Sequence, residues 1–227
     1  KYEIAVIGLG CAGLGISYYF SKMGIKVLGL EKYPDSGEIG TASFGYTRIW
    51  RVTHADQLRN DMMRESLKMW KEIEAKAGKV LLENGCILNF GHPASEFLKG
   101  IFNHFPKEKV LTAGEIMDLY PAFKNLPKNY VGMITNTDCG IMRAKECLQT
   151  VKQLTLDIGA DLRYKSEVTK ITKLEDNSGF TITTKNGKEY IAKDVIVACG
   201  GESSQFPDQS IETKVIEVEN YEFEESC

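Results

Sequence analysis

A glycine-rich turn between a strand and a helix constrains the fold of this chain most. The apolar strand at residues 4–7 runs into a Gly-x-Gly-x-x-Gly turn formed by Gly8, Gly10 and Gly13, and an apolar helix follows. In such a unit the first glycine allows the tight turn, the second lets a ligand approach the backbone, and the third lets the helix pack on the strand. The helix start offers N–H groups and the positive end of a dipole. The turn therefore predicts binding of a dinucleotide pyrophosphate.

An acidic residue ends the second strand of this unit. Glu31 follows the apolar run at residues 27–30, where a carboxylate can accept both hydroxyls of an adenosine ribose. An acid there also repels the 2′-phosphate of NADP, so the sequence favours NAD or FAD. We predict that Cys11 and Ala12 in the turn, and Lys32 after the acid, bind the same cofactor. A purely structural turn and a solvated strand end are the alternatives.

Composition excludes several other classes of protein. The 227 residues are 43% hydrophobic, enough for one or two domains with a core. The net charge is −3 with scattered basic residues, so nucleic acid is not an expected partner. Apolar runs fall short of the roughly 20 residues that span a bilayer, and the cysteines and histidines lack metal-ligand spacing. Reduced thiols favour an intracellular location, either cytoplasmic or peroxisomal.

The rest of the chain shows two long helical patterns and a β-rich region. Spacing near 3.6 residues predicts helices over 56–77 and 143–157, and the methionines of the first are expected to fill a core. Asn186-Gly187 predicts a two-residue hairpin. Residues 194–198 predict a buried parallel strand, and Gly200 follows it, which suits a second approach of the backbone to the cofactor. A plain strand followed by a turn is the alternative.

Four stretches together resemble the sarcosine oxidase and pipecolate oxidase branch of the D-amino-acid-oxidase-like flavoproteins. They are the glycine turn with Glu31, residues 40–51, residues 85–91 and residues 194–201. The second is the most specific, because Gly45-Tyr46-Thr47-Arg48-Ile49-Trp50-Arg51 reproduces the family pattern Gly-x-[Ser/Thr]-Arg-Ile-x-Arg. The resemblance implies FAD bound by the first βαβ unit, and oxidation of a secondary or cyclic amino acid.

Two arginines in the second stretch are the predicted catalytic residues. Arg48 and Arg51 are three apart, close to one helical turn, so we expect both guanidinium groups to point into one cleft. Arginine suits a bidentate grip on a carboxylate, although a solvated basic pair is the alternative. The resemblance implies that Arg51 binds the substrate carboxylate. It also implies that Arg48 lies against the flavin, where its charge favours the anionic reduced ring.

The resemblance implies three further cofactor contacts. Ser43 and Thr47 would lie near the flavin or the pyrophosphate, and the backbone of Val168 would meet the adenine. Val168 as ordinary strand core is the competing interpretation. Phe44 departs from the family, which often has histidine there, and it can make no polar contact to the flavin.

The second departure from the family is length, and it shapes the predicted domains. We predict the α/β class, an FAD/NAD(P)-binding Rossmann-like domain over 1–83 and 138–208 with an inserted, incomplete α+β substrate domain over 84–137 and 209–227. The family chain continues well beyond this one. We therefore expect the chain to be the N-terminal part of a cleaved or two-chain holoprotein, with a second polypeptide carrying the C-terminal half.

The predicted function is FAD-dependent oxidation of an amine or amino acid of the sarcosine or pipecolate type. A hydride passes from the carbon next to nitrogen to the flavin, and O2 is reduced to H2O2. Phe44 and the short chain motivate an alternative, a non-catalytic flavin-binding protein such as a pigment, carrier or light-emitting component. An NAD-dependent dehydrogenase is a weaker alternative, because it does not predict the arginine pattern.

Overall fold

A computed structural model describes residues 1–105 and 107–206 of the chain. The elements run in the order β1 (Tyr2–Ile7), α1 (Cys11–Lys22), β2 (Val27–Leu30), β3 (Thr47–Arg51), α2 (Gln57–Ala77), β4 (Leu82–Asn84), β5 (Ile87–Gly91), α3 (Glu96–His104), β6 (Val110–Thr112), α4 (Ala113–Leu119), β7 (Val131–Thr135), β8 (Cys139–Arg143), α5 (Ala144–Asp157), β9 (Asp161–Arg163), β10 (Val168–Lys173), β11 (Phe180–Thr184), β12 (Glu189–Val197) and a 3₁₀ helix (Gly200–Gln205).

The chain divides into two compact units. Among the described residues, the first combines Lys1–Ser43 with residues 155–206, and the second is Phe44–Leu154. The predicted sheet segment at 209–227 lies outside the described residues. None of the helices within the described ranges has the length and apolar character that a bilayer crossing requires.

The first unit is built on a six-stranded mixed sheet in the order β10-β11-β12-β1-β2-β9. The strands β12, β1, β2 and β9 run parallel, whereas β10, β11 and β12 pair antiparallel. β1 and β2 are apolar runs rather than alternating strands, which fits central strands that are buried on both faces. Their side chains Ala5, Ile7, Leu28 and Leu30 are buried in one core cluster. The predicted α/β class is confirmed.

The Asn186-Gly187 hairpin is present, and the predicted parallel strand is longer than expected. Gly187 has φ +78° and joins β11 to β12, as the sequence predicted. β12 spans Glu189–Val197, and only its second half, from Asp194, was predicted. Asp194 is exposed and Val195 half-buried, so this strand is less buried than its apolar run indicated.

The second unit contains two three-stranded antiparallel sheets, in the orders β3-β8-β4 and β5-β7-β6. Its bounds differ from the predicted insertion at 84–137. The reason is tertiary pairing: both β3 and β4 pair with β8, so residues on either side of the predicted insertion belong to one compact unit. The assignment of one predicted domain to FAD and the other to substrate stays a prediction.

Both long helices are present close to their predicted bounds. Asp56 accepts hydrogen bonds from the Leu58 and Arg59 amides at the start of α2, and Gly78 ends that helix with φ +63°. The expected core role of its methionines is wrong for Met62, which is 63% exposed. Ile73 on the same helix is buried. Periodicity identified the helix but not how much of its apolar face the described residues cover.

Candidate functional site

The glycine turn of the first unit has the close backbone packing that its sequence predicts. Gly8 has φ +90°, and a Cβ built on it would lie 2.6 Å from the Ala198 carbonyl oxygen. A Cβ on Gly13 would lie 1.8 Å from the Gly8 carbonyl oxygen, closer than any real contact. Only glycine fits either position, so the turn presents bare backbone beside the start of α1.

The N-terminus of α1 is arranged to receive an anion. Gly10 is the N-cap without a side-chain hydrogen bond, and the first turn of the helix contains no acidic residue. Ser43 Oγ accepts a hydrogen bond from the Cys11 amide at 2.9 Å, and Cys11 and Ala12 are exposed. A Cβ on Gly10 would come within 2.9 Å of this Ser43 hydroxyl. The positive end of the helix dipole at this position favours an anionic ligand such as a pyrophosphate.

Glu31 lies beside this turn and is only 8% exposed, so the solvated-strand-end alternative is wrong. Its Oε2 accepts from the Leu9 amide at 2.7 Å, and its Oε1 accepts from the Tyr33 amide at 3.1 Å. Each carboxylate oxygen has a second lone pair, so the group can still accept ribose hydroxyls. These two contacts fix the carboxylate next to the glycine turn.

Lys32 makes a different contact from the one predicted for it. Its ammonium group forms an ion pair with Glu202 and lies 4.8 Å from the centre of the Tyr33 ring. Burial lowers the pKa of Lys32, but the Glu202 carboxylate outweighs burial and the net pKa is raised. The lysine side chain therefore links β2 to the 3₁₀ helix, and a contact of Lys32 to the cofactor stays a prediction.

The end of β12 meets the glycine turn, whereas the approach of its backbone at Gly200 to the cofactor stays a prediction. The Ala198 amide donates to the Ile7 carbonyl at 2.7 Å, and the Cys199 thiol donates to the same oxygen at 3.3 Å. Burial, and then the charge of Glu31, raises the pKa of Cys199 to about 11, so the thiol is neutral. Gly200 follows with φ +56°.

Val168 begins β10 at the edge of the same sheet. It pairs with Thr184, with an irregularity before Lys170, and its half-buried side chain packs against the core cluster of the unit. The strand-core interpretation of the side chain is therefore correct. Contact of the Val168 backbone with adenine stays a prediction.

The two arginines of the second unit lie on a strand rather than a helix. Arg48 pairs with Met142 and Arg51 with Cys139 in the antiparallel β3–β8 ladder. Side chains three apart on a strand project to opposite faces, whereas on a helix they would be neighbours. The expectation that both point into one cleft because of helical spacing is wrong. Thr47, at the start of the same strand, is exposed.

Arg48 folds back onto the loop before its strand. Its Nη1 donates to the Thr47 carbonyl at 2.7 Å, and its Nη2 donates to the Phe44 carbonyl. Gly45 between them has φ +124°, and a Cβ there would lie 2.8 Å from Arg48 Nη1. The glycine of the family pattern is therefore needed for the loop to wrap the guanidinium group, and Phe44 contributes through its backbone.

Arg51 has different surroundings. Its Nη1 donates to Asn89 Oδ1 at 2.9 Å, and its guanidinium carbon lies 5.5 Å from the centre of the Phe97 ring. Burial lowers the pKa of Arg51, and within the described residues no carboxylate forms an ion pair with it. Burial, and then the charge of Arg51, also lowers the pKa of His54. The arginine is therefore a half-buried cation without a counter-ion in the part of the chain described.

Sequence reasoning missed Asn89 and Phe97. Asn89 interrupts the apolar strand β5, and it is only 5% exposed. A polar residue inside an apolar strand was the available signal. Phe97 carried none, because its contact with Arg51 joins α3 to a distant strand. The described residues contain no cluster of three or more candidate metal ligands.

The sheet, the glycine turn and the buried acid define a dinucleotide-binding protein of the Rossmann-like α/β class. A family profile then gives the particular group: the chain belongs to the FAD dependent oxidoreductase (DAO) family, which matches residues 3–223. The predicted resemblance to D-amino-acid-oxidase-like flavoproteins and the choice of FAD over NAD are confirmed. The bare turn, the α1 N-terminus and Glu31 fit the pyrophosphate and ribose of FAD.

Relatives in sequence are amine and amino-acid oxidases. N-methyl-L-tryptophan oxidase of Citrobacter koseri is 26% identical over 205 residues, which cover 88% of this chain and 54% of that protein. The N-methyl-L-tryptophan oxidase of Escherichia coli is 28% identical over 207 residues, again with 88% and 54% coverage. The chain thus spans about half the length of these relatives.

Solved structures share the fold. NikD, an amino acid oxidase essential for nikkomycin biosynthesis, superposes with a TM-score of 0.77 at 24% identity, covering 90% of this chain and 53% of that one. Glycine oxidase from Geobacillus kaustophilus superposes with a TM-score of 0.67 at 19% identity, covering 90% and 56%. At these identities the likeness concerns the fold alone.

Proposed function

We propose that this chain is the FAD-binding portion of an oxidase that acts on a secondary or cyclic amino acid. The proposal rests above all on Arg51, a half-buried cation that a neutral amide holds and that no described carboxylate neutralises. An amino-acid substrate carries the missing counter-ion as its carboxylate. Arginine binds such a group through two parallel hydrogen bonds.

In this proposal the first unit binds the cofactor. The backbone of the glycine turn and the N-terminus of α1 hold the pyrophosphate, and Ser43 lies at the same helix start. Glu31 accepts the ribose hydroxyls with the lone pairs that Leu9 and Tyr33 leave open. When bound, FAD supplies the redox chemistry, taking a hydride equivalent from the carbon beside the amine nitrogen and reducing O2 to H2O2.

The second unit contributes substrate binding. Arg51 binds and orients the carboxylate, and Arg48, held by carbonyls of its own loop, contributes a fixed positive charge toward the flavin. A fixed charge can stabilise a developing negative charge without reorganisation. No general base is assigned in this chain.

The test of the oxidase itself is peroxide release by the purified holoprotein. Sarcosine and L-pipecolate are each compared with their methyl esters, which retain the amine and lack the carboxylate. We expect peroxide from at least one acid and far less from its ester. Equal rates with acid and ester would contradict the role of the carboxylate.

Phe44 favours one second candidate, a flavin-binding protein without turnover. Its side chain, 45% exposed, has no group that donates a hydrogen bond or carries charge. Such a protein would release FAD on denaturation but produce no peroxide from either acid. Peroxide release therefore separates the two functions.

A further inference from the structure

Asn89 stands out because it holds an arginine without neutralising it. Among other arginines of the described residues, Arg143 pairs with Glu83 and Arg163 pairs with Asp161. Arg51 instead donates to the Asn89 amide oxygen at 2.9 Å. An amide oxygen accepts a hydrogen bond through a dipole and leaves the net charge of the guanidinium unchanged.

The position of Asn89 is fixed by the sheet. The residue lies in the middle of β5, pairs with Met133 of β7, and is 5% exposed. Its Nδ2 is buried and has no hydrogen-bond partner in the described part of the chain. Burying an unpartnered amide nitrogen is unfavourable. What the amide provides here is the contact of its oxygen with Arg51.

The orientation of this amide follows from Arg51. With oxygen and nitrogen exchanged, the Nδ2 donors would face the Nη1 donors, so only the observed orientation gives a hydrogen bond. On the other side of Arg51, the guanidinium carbon lies 5.5 Å from the Phe97 ring centre. Asn89 occupies one of the five N–H groups of a guanidinium, and among the described residues this group has no second hydrogen-bond partner, which leaves donors for an anion.

We infer that Asn89 is a positioning residue, which orients the guanidinium of Arg51 for the substrate carboxylate and preserves its charge. The inference rests on the proposed function, in which Arg51 binds that carboxylate. Asp161 is the counter-ion of Arg163 within the fold. In this inference the substrate carboxylate is the counter-ion of Arg51 in the same way. A carboxylate at position 89 would take this role itself and compete with the ligand.

The test compares Asn89→Asp with Asn89→Leu in the FAD-loaded holoprotein. Both variants keep nearly the same side-chain volume, but the aspartate keeps an acceptor for Arg51 and adds a negative charge. Affinity for acetate, with acetamide as the neutral probe, is measured by calorimetry. FAD content and melting temperature check that each variant is folded. Asn103→Asp on the exposed face of α3 is the control for net charge.

We expect Asn89→Asp to weaken acetate binding at least tenfold, more than Asn89→Leu does, with the control unchanged. A purely structural role gives the opposite order, because aspartate is the closer mimic of asparagine. Equal or tighter acetate binding in Asn89→Asp than in Asn89→Leu would overturn the inference. If the aspartate variant does not fold, the small neutral Asn89→Ser decides: wild-type affinity overturns the inference, and a loss of several-fold supports it.

Failure of the proposed function gives a different result. Arg51→Gln measured beside these variants abolishes acetate binding if Arg51 is the carboxylate ligand. If Arg51→Gln binds acetate as the wild type does, the proposed function fails, and the positioning role fails with it. If Arg51→Gln loses acetate while Asn89→Asp and Asn89→Leu bind as the wild type does, only the positioning role fails.

Discussion

The two units each contain a half-buried arginine, and the partners of the two arginines differ in charge. In the first unit Arg163 donates to both carboxylate oxygens of Asp161, at 2.9 and 2.7 Å, and to the Tyr190 hydroxyl at 3.1 Å. In the second unit Arg51 donates to the neutral amide of Asn89. Asp161 neutralises its arginine inside the fold, whereas Asn89 does not. The first arrangement is typical of a structural ion pair, and the second leaves a charge for a ligand.

The pKa shifts follow the same division. The hydrogen bond to Asp161 comes first among the causes that raise the pKa of Arg163. Burial alone lowers the pKa of Arg51. A cation held in a partly buried site without a counter-ion is unfavourable for the free protein, and an arriving anion relieves this. Loss of Arg51 and loss of Arg163 should therefore affect different measurements.

The largest expected effect is on substrate affinity. Arg51→Gln should raise KM for an amino-acid substrate roughly 100-fold, because hydrogen bonds to a charged group contribute about 1.5–3 kcal/mol. Bound FAD and the melting temperature should stay close to those of the wild type. Steady-state peroxide kinetics measure the change, with Arg64→Gln on α2 as an exposed control. An unchanged KM would remove the distinction between the two arginines.

A smaller effect is expected on stability, from the other arginine. Arg163→Gln should lower the free energy of unfolding by about 1 kcal/mol, because the side chains of the pair are 39% and 35% exposed and water screens them. KM should not change. Urea unfolding measures the stability, and Lys185→Gln, which breaks a more exposed pair with Glu167, should have less effect. A rise in KM in Arg163→Gln would contradict the structural assignment.

The smallest effect is a pH dependence of stability that the Arg163–Asp161 pair of the first unit should show. The hydrogen bond from Arg163 holds the pKa of Asp161 below its ordinary value of 3.8. The pair therefore stabilises the fold fully when the pH is above the pKa that Asp161 has in the unfolded chain. That stability is lost as the pH falls through the lower folded pKa. Asp161→Asn should therefore lie below the wild type in melting temperature near neutral pH and converge with it in acid. If the melting temperatures of Asp161→Asn and the wild type differed by the same amount at every pH, the link between Asp161 protonation and stability would be contradicted.

The parts of the molecule that could be predicted from sequence are those with local contacts. The glycine turn, Glu31 and the Asn186-Gly187 hairpin depend on neighbours along the chain or on a single βαβ unit, and the structure has all three. Family membership confirms the cofactor.

The rest depends on pairing between distant segments. β3 is a strand because it pairs with β8, some 90 residues later along the chain, and no local pattern distinguished it from a helical turn around Arg48 and Arg51. Asn89 meets Arg51 only because β3 and β5 come together in the second unit. The exposed methionine Met62 shows the same limit, since periodicity indicates an apolar face without showing what covers it.

The most direct test of the account is a crystal structure of the FAD-loaded holoprotein with acetate or a slowly oxidised amino acid bound. We expect the ligand carboxylate to accept hydrogen bonds from two nitrogens of Arg51, while Asn89 Oδ1 still accepts from Nη1. A carboxylate bound elsewhere, with Arg51 making no contact to it, would contradict the account.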